Sequence, residues 1–568
     1  MLTRRRFVQG VGTGALLSAS GLPLLASTPA RAELAGPTFD LTVDTLPVNF
    51  TGAARRAVVI NGQLPGPTLR MRQGDAVTIR VTNRLREPTS IHWHGIILPA
   101  DMDGVPGLSF DGIAPGATFT YRYKVNQSGT YWYHSHSRFQ EQLGHYGSIV
   151  VDRRGGERHG ADREHVLLLT DWTDHDPEHI YATLKRQSDY YNFSQRTVGD
   201  FFREARERGW SATLADRRMW GDMRMNPTDL ADVGGYAYTY LMNGVTPAGN
   251  WSGTFTPGER VRLRIINGSS MSFFDLRIPG LKLTVVAADG QDIDPVTVDE
   301  LRIGTAEVYD VIVTPGDAAY TIFAQSMDRS GFARGTLAPR AGMSAEVPSL
   351  DQPVLLSMSD MGMNHGAHGG NTAPQAGAVD HSKMDHAAMG HAPAPAAPAH
   401  APAETGPIVD MRVTQPNTAL DDPGVGLRDN GRRVLTYADL ATLGGPIDAR
   451  EGAREIELHL TGHMERYIWS FNGQKFSDAT PLRFKHGERL RVTLVNDTMM
   501  THPIHLHGMW SEVVDVRASF RVRKHTVIVN PAQRLSYLVT ADALGRWAYH
   551  CHLLYHMEAG MFREVVVA

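Results

Sequence analysis

Apolar and polar side chains alternate along three short runs of the chain. These are Gly74-Asp75-Ala-Val-Thr-Ile-Arg-Val-Thr-Asn83, Gly258-Glu259-Arg-Val-Arg-Leu-Arg-Ile-Ile-Asn267 and Gly487-Glu488-Arg-Leu-Arg-Val-Thr-Leu-Val-Asn496. Side chains two apart on a strand share a face, so each run predicts a half-buried β-strand entered from a glycine turn. An Asn-Gly pair, a strong hairpin-turn signal, precedes each run, at Asn61-Gly62, Asn243-Gly244 and Asn472-Gly473. The same strand with the same punctuation three times predicts three copies of one β-sandwich, with cores built from the inward-facing alternate residues.

The spacing places the copies at about 38–155, 160–350 and 430–568. A surplus before the third copy, about 359–405, is Ala, Pro, Gly, His and Met with almost no aromatics. Such a stretch cannot bury a core and is expected to be a disordered linker. The chain starts with Thr3-Arg4-Arg5-Arg6-Phe7, a mildly apolar run and Ala30-Arg31-Ala32. This predicts a twin-arginine export signal over 1–32, cleaved to release a periplasmic protein without a membrane span. The 568 residues carry 56 basic and 60 acidic side chains, a net charge of −4, so no basic field for nucleic acid exists. Cys551 is the one cysteine, which excludes an intramolecular disulfide in a compartment that permits them.

Histidines sit at fixed places on the repeat. Nine residues after Asn83 comes His92 and nine after Asn496 comes His505, each followed two residues on by another, His94 and His507. The same count from Asn267 gives Leu276 and Ile278, so the middle copy lacks these histidines. A second pairing aligns Gly129-Thr-Tyr-Trp-Tyr-His134-Ser135-His136 with Gly545-Arg-Trp-Ala-Tyr-His550-Cys551-His552. Each His-x-His presents two imidazoles on one strand face, and four such pairs can converge where the first and third copies meet. The third copy adds His502, Cys551, His556 and Met561: two imidazoles, a thiolate and a thioether, the donor set of a blue-copper site. The first copy has Thr89, Ser135, Gln140 and His145 there, which cannot build it.

His92-Trp-His94-Gly, His134-Ser-His136, His502-Pro-Ile-His505-Leu-His507-Gly and His550-Cys551-His552-Leu-Leu-Tyr-His556-Met-Glu-Ala-Gly-Met561 resemble the four copper motifs of multicopper oxidases. The export signal, the Met/His-rich insert and Arg302-Ile-Gly-Thr-Ala-Glu-Val-Tyr-Asp310 make the chain most similar to the bacterial copper-resistance oxidases, the copper-resistance protein A family. The resemblance implies an all-β fold of three cupredoxin-like Greek-key sandwiches, and four copper ions. His502, Cys551, His556 and axial Met561 would hold the type-1 copper. His92 and His505 would hold the type-2 copper, and His94, His134, His136, His507, His550 and His552 the type-3 pair. Cys551 lies between two type-3 ligands, which gives a short covalent route from electron entry to dioxygen reduction. Asp103 is placed where the family carries a proton-relay acid; local sequence reads it equally as a turn aspartate before Gly104. Tyr555 stands where some relatives have a glutamate, so a second relay acid is not expected.

Met358, Met361, Met363, His365, His368, Met384, His386, Met389 and His391 form a soft-donor tract suited to Cu(I). Cuprous ion is therefore the expected substrate, with dioxygen as electron acceptor. Met219, Met223 and Met225 read more simply as packing residues. The same metal centres could instead serve a laccase-like phenol oxidase. A copper nitrite reductase would not need paired type-3 ligands, and a copper-sequestering protein would need only the tract.

Overall fold

The computed structural model describes residues 32–362 and 398–568. The three alternating runs form the strands Ala76–Asn83, Val261–Asn267 and Arg489–Asn496. Each pairs in parallel with an earlier strand, Thr38–Val48, Arg163–Trp172 or Arg454–His463. Each pairs antiparallel with a later one, Thr118–Lys124, Val308–Val313 or Arg534–Thr540. The turn asparagines Asn61, Asn243 and Asn472 adopt left-handed φ of 52°, 53° and 50°. Their Oδ1 atoms accept from the backbone N–H of Thr42, Leu168 and His459 at 2.7, 2.8 and 2.6 Å, which ties each turn to the strand that pairs in parallel with the alternating run.

The asparagine that ends each run is buried and has one job in all three places. Asn83 Nδ2 donates to the carbonyls of Glu87 and Ile113, Asn267 Nδ2 to Ser272 and Ile303, and Asn496 Nδ2 to Met500 and Val529. Carbonyls that would otherwise be buried without a donor are thereby satisfied at the point where the chain leaves one sheet.

Two sheets make each sandwich: five and four strands between Glu33 and Asp152, six and five between Arg163 and Ala338, six and five between Arg454 and Val567. The polar alternate positions of the middle run are buried as well: Arg262 and Arg264 are 3% and 1% exposed. Arg264 pairs with Asp310 at 3.0 Å and Glu164 at 2.8 Å and donates to Thr130 Oγ1 of the first sandwich at 3.0 Å. The outer face of this strand is thus an interface between sandwiches, where buried charges persist because each is paired.

Three helices, Pro177–Leu184, Val198–Arg208 and Trp210–Met223, interrupt the middle sandwich. Asp176 caps the first before Pro177, and Thr197 with Asp200 forms a capping box on the second. Among the described residues no helix is long and apolar enough to cross a membrane.

The linker expected over 359–405 is revised at both ends. Met358 and Met361, expected in the soft-donor tract, are core residues with 4% and 0% exposure. Glu404 is buried as well, in a short turn of helix at Pro402–Thr405. The rest of the tract, Met363, His365, His368, Met384, His386, Met389 and His391, lies outside the described residues.

Candidate metal centres

Register explains why the first and third sandwiches carry matching histidines. His92 stands opposite His134 in the pair His92–His94 with Gly129–His134, and His505 stands opposite His550 in the pair His502–Leu506 with Gly545–Cys551. The same position of the middle sandwich pairs Leu276 with Ala324, both buried. One fold position is therefore metal-binding in character in two copies and apolar core in the other.

The eight histidines of the four His-x-His pairs meet between the first and third sandwiches. Their nitrogens form three close groups: His94, His134 and His552; His136, His507 and His550; and His92 with His505 and His507. Burial and mutual crowding hold His94, His134, His136, His505, His507 and His552 well below the usual histidine range. His550 is lowered to about 4, chiefly by burial. These seven imidazoles are thereby held neutral near pH 7, the state a metal requires.

Outer partners fix which nitrogen faces inward. His92 Nδ1 donates to the Asp103 carbonyl at 2.8 Å and His507 Nδ1 to Asp103 Oδ2 at 2.8 Å. His505 Nδ1 donates to the His525 carbonyl at 2.6 Å, His550 Nδ1 to the Cys551 carbonyl at 2.9 Å, and His134 Nδ1 lies 2.6 Å from Glu141 Oε2. The inward Nε2 atoms of His92, His134, His136, His505 and His552 are buried without a hydrogen-bond partner, as are both ring nitrogens of His94. Buried lone pairs left this way are costly, and metal ions are what such a donor set satisfies.

The second centre lies in the third sandwich. His502 Nδ1 and His556 Nδ1 are 3.3 Å apart and lie 3.5 and 3.9 Å from Cys551 Sγ. Both outer nitrogens are occupied: His502 Nε2 bonds Thr498 Oγ1 at 2.7 Å and His556 Nε2 bonds Asp232 Oδ2 at 2.6 Å. Trp469 stacks on His556 with centroids 3.8 Å apart. Met561 is fully buried, and its carbonyl accepts from the Cys551 N–H at 3.1 Å. Burial pushes the Cys551 thiol up, so ionisation needs the positive charge of a metal. Two imidazoles and a sulfur, with a buried thioether close by in the chain, fit copper.

The structure adds groups that no local pattern announces. Asp232, from the middle sandwich, also accepts from Tyr467 OH at 2.9 Å. Its neighbour Asp229 lines a cavity of about 500 Å³ whose lining also includes Met225 and Met464. Burial and the neighbouring Asp232 carboxylate hold Asp229 well above the usual range. Met225 and Met464 are buried, whereas Met219 and Met223 are partly buried against the core.

Multicopper oxidase family models match residues 42–156, 163–340 and 450–568. The chain is 61% identical to a copper resistance protein A homolog of Pseudomonas syringae pv. tomato, covering 100% of this chain and 99% of that protein. It is 58% identical to the copper resistance protein A of Escherichia coli, with the same coverage. The crystal structure of the laccase from Botrytis aclada, at 22% identity, superposes with a TM-score of 0.65 over 94% of this chain and 88% of that one, a likeness of fold. A family with one type-1, one type-2 and two type-3 coppers accounts for both centres, and the chain belongs to it: it is a multicopper oxidase of the copper resistance protein A family.

Proposed function

We propose that this protein is an exported cuprous oxidase, which takes electrons from Cu(I) at the Cys551 centre and gives them to dioxygen at the eight-histidine centre, in the service of copper resistance. The names of its relatives support the resistance role, and the twin-arginine pattern of residues 1–32 supports a periplasmic location. The sandwich boundaries, near 38–155, 160–350 and 430–568, follow the repeats. His502, Cys551, His556 and Met561 are assigned to type-1 copper and His92 and His505 to type-2. His94, His134, His136, His507, His550 and His552 are assigned to the type-3 pair. Copper in these positions supplies one-electron oxidation at the first site and reduction of dioxygen to water at the second.

One observation carries the choice of Cu(I). Asp232 touches His556 Nε2 at 2.6 Å, and its neighbour Asp229 lines a cavity together with Met225 and Met464. Thioethers favour Cu(I) over harder ions, and the Asp229 carboxyl, on giving up its proton, offers the oxidised ion a harder donor. Arg186, Arg196, Arg217 and Arg224 also line the cavity, and the last three are engaged by Asp216, Glu204 and Glu465. Met363, His365, His368, Met384, His386, Met389 and His391 would raise the local concentration of cuprous ion.

Asp103 is assigned to the cluster's proton supply: its carboxylate accepts from His507 Nδ1 and lies 3.2 Å from His92 Nδ1. Anaerobic addition of a stable Cu(I) complex to the copper-loaded, oxidised protein tests the reading. Fast bleaching of the blue absorption, with recovery on admitting oxygen, is expected. A centre that stays blue with Cu(I) but bleaches with a phenol would make the protein a laccase-like oxidase instead.

A further inference from the structure

Away from both copper centres, a second set of imidazoles and carboxylates converges where the chain re-enters the third sandwich. His459 lies on the strand Arg454–His463, and Asp497 directly follows the strand Arg489–Asn496 paired with it. His400 and Glu404 come from the segment leading into the turn of helix at Pro402–Thr405. His459 Nδ1 lies 2.6 Å from Asp497 Oδ2 and 3.6 Å from Glu404 Oε2. His400 Nδ1 lies 3.5 and 3.1 Å from the same two oxygens. Side-chain exposures are 3% for His459, 0% for Asp497, 2% for Glu404 and 17% for His400.

The outer nitrogens are held by oxygens. His400 Nε2 donates to the Val413 carbonyl at 3.2 Å, and His459 Nε2 faces Glu457 Oε1 at 3.2 Å. A carbonyl and a carboxylate only accept, so both Nε2 atoms carry hydrogen and both Nδ1 atoms present lone pairs to the two inner carboxylates. Lone pairs facing lone pairs need positive charge between them. Either each imidazole takes an additional proton, or one cation lies among the four atoms.

We propose that His400, His459, Glu404 and Asp497 bind one borderline divalent cation, Zn²⁺ or Cu²⁺, at the point where the Met/His-rich segment joins the third sandwich. Bonds of about 2.0–2.2 Å in a tetrahedron put ligand atoms roughly 3.3–3.6 Å apart. Three of the N···O separations, 3.1, 3.5 and 3.6 Å, lie at or close to that spacing, and the fourth, 2.6 Å, must open by about 0.7 Å. Two imidazoles and two carboxylates form a set without sulfur, so it selects divalent ions over Cu(I). Val413 and Glu457 supply the outer hydrogen bonds that commonly orient metal-bound histidines. Two carboxylates balance a divalent charge as well as they balance two imidazolium ions, so metal binding exchanges protons for the cation. The raised pKa of His459, about 9, reflects the same demand for positive charge in the cation-free cluster.

The test is calorimetric titration of Zn²⁺ into the copper-loaded protein, in two buffers of different ionisation enthalpy so that released protons are counted. The full chain, a chain lacking residues 363–397 and His400→Gln are compared, with zinc assayed after desalting. One zinc per chain, bound with proton release and retained without residues 363–397, is expected. His400→Gln should weaken it by more than about tenfold and reduce the proton release, while the blue absorption and phenol turnover are unchanged. Cu²⁺ should displace the zinc. Equal zinc affinity in His400→Gln, no zinc bound to the shortened chain, or failure of Cu²⁺ to displace it would overturn the proposal and leave a protonated ion-pair cluster.

Discussion

Asp103 binds His507 across the boundary between the first and third sandwiches, its Oδ2 accepting from His507 Nδ1 at 2.8 Å, while its backbone carbonyl accepts from His92 Nδ1. One residue therefore sets the tautomer of a proposed type-3 ligand and a proposed type-2 ligand. Asn at this position keeps an acceptor oxygen but loses the charge, so Asp103→Asn should retain all coppers and lower dioxygen turnover by about 10–100-fold. Asp103→Ala removes the acceptor and should also deplete type-2 copper, read as loss of its paramagnetic resonance signal beside an intact blue band. Full turnover in the alanine variant would remove Asp103 from the proton path.

Asp232 makes a second connection between sandwiches, from the middle copy to His556 of the third. A carboxylate bonded to the outer nitrogen makes a ligating imidazole a stronger donor and stabilises the oxidised metal. Asp232→Asn should therefore raise the type-1 potential in a redox titration and slow bleaching by Cu(I) about tenfold or more. Phenol oxidation should suffer less, because a phenol does not need the carboxylate to hold a cation. Equal losses with both substrates would mean that Asp232 positions His556 without guiding cuprous ion.

Lys524 has no exposure and lies 3.1 Å from Asp289 Oδ2 and 2.9 Å from Glu307 Oε1, both in the middle sandwich. Burial lowers its pKa, but the two carboxylates outweigh that and raise it. Removing the cation alone leaves two buried carboxylates without their shared counter-charge, so Lys524→Met should cost about 3–5 kcal/mol, seen as a lower calorimetric unfolding temperature. Asp289 also accepts from the backbone N–H of His525 and Thr526, and the His525 carbonyl holds His505. The variant is therefore expected to shift the type-2 resonance while sparing the blue band. An unchanged midpoint would show that the cluster relaxes at little cost.

Strand periodicity and the offset from a repeated asparagine made the three sandwiches and the eight paired histidines legible, because local spacing on a strand maps directly onto one face. Asp232 and Glu141 were not legible, since each reaches its histidine from a different element, with 324 residues separating Asp232 from His556. Composition misplaced Met358 and Met361 because a methionine beside a polar tract looks the same whether the chain departs into solvent or turns back onto the core. Alternation reports which face of a strand is polar but not what it meets, and in the middle run the polar face, with Arg262 and Arg264, meets another sandwich through paired charges. His400 and His459 carry no motif, because their meeting depends on where the chain re-enters the fold.

His459 gives the cation-free protein a pH dependence of predictable sign. Burial alone would lower its pKa, but hydrogen bonds to Asp497 and Glu457 raise it from 6.5 to about 9. A group whose folded pKa lies above its unfolded one stabilises fully below the unfolded value and loses that contribution as pH rises through the folded value. The contribution of up to about 3 kcal/mol should therefore be present near pH 6 and fade between 6.5 and about 9. In zinc-free buffer the unfolding temperature of the wild type should fall more steeply across that window than that of His459→Gln, and the two curves should converge at its upper end. Saturating zinc should flatten the wild-type curve if a cation replaces the protons, because the site then no longer depends on protonation at the upper end of the window. Parallel curves for the two proteins in zinc-free buffer would mean that His459 is neutral in the folded state.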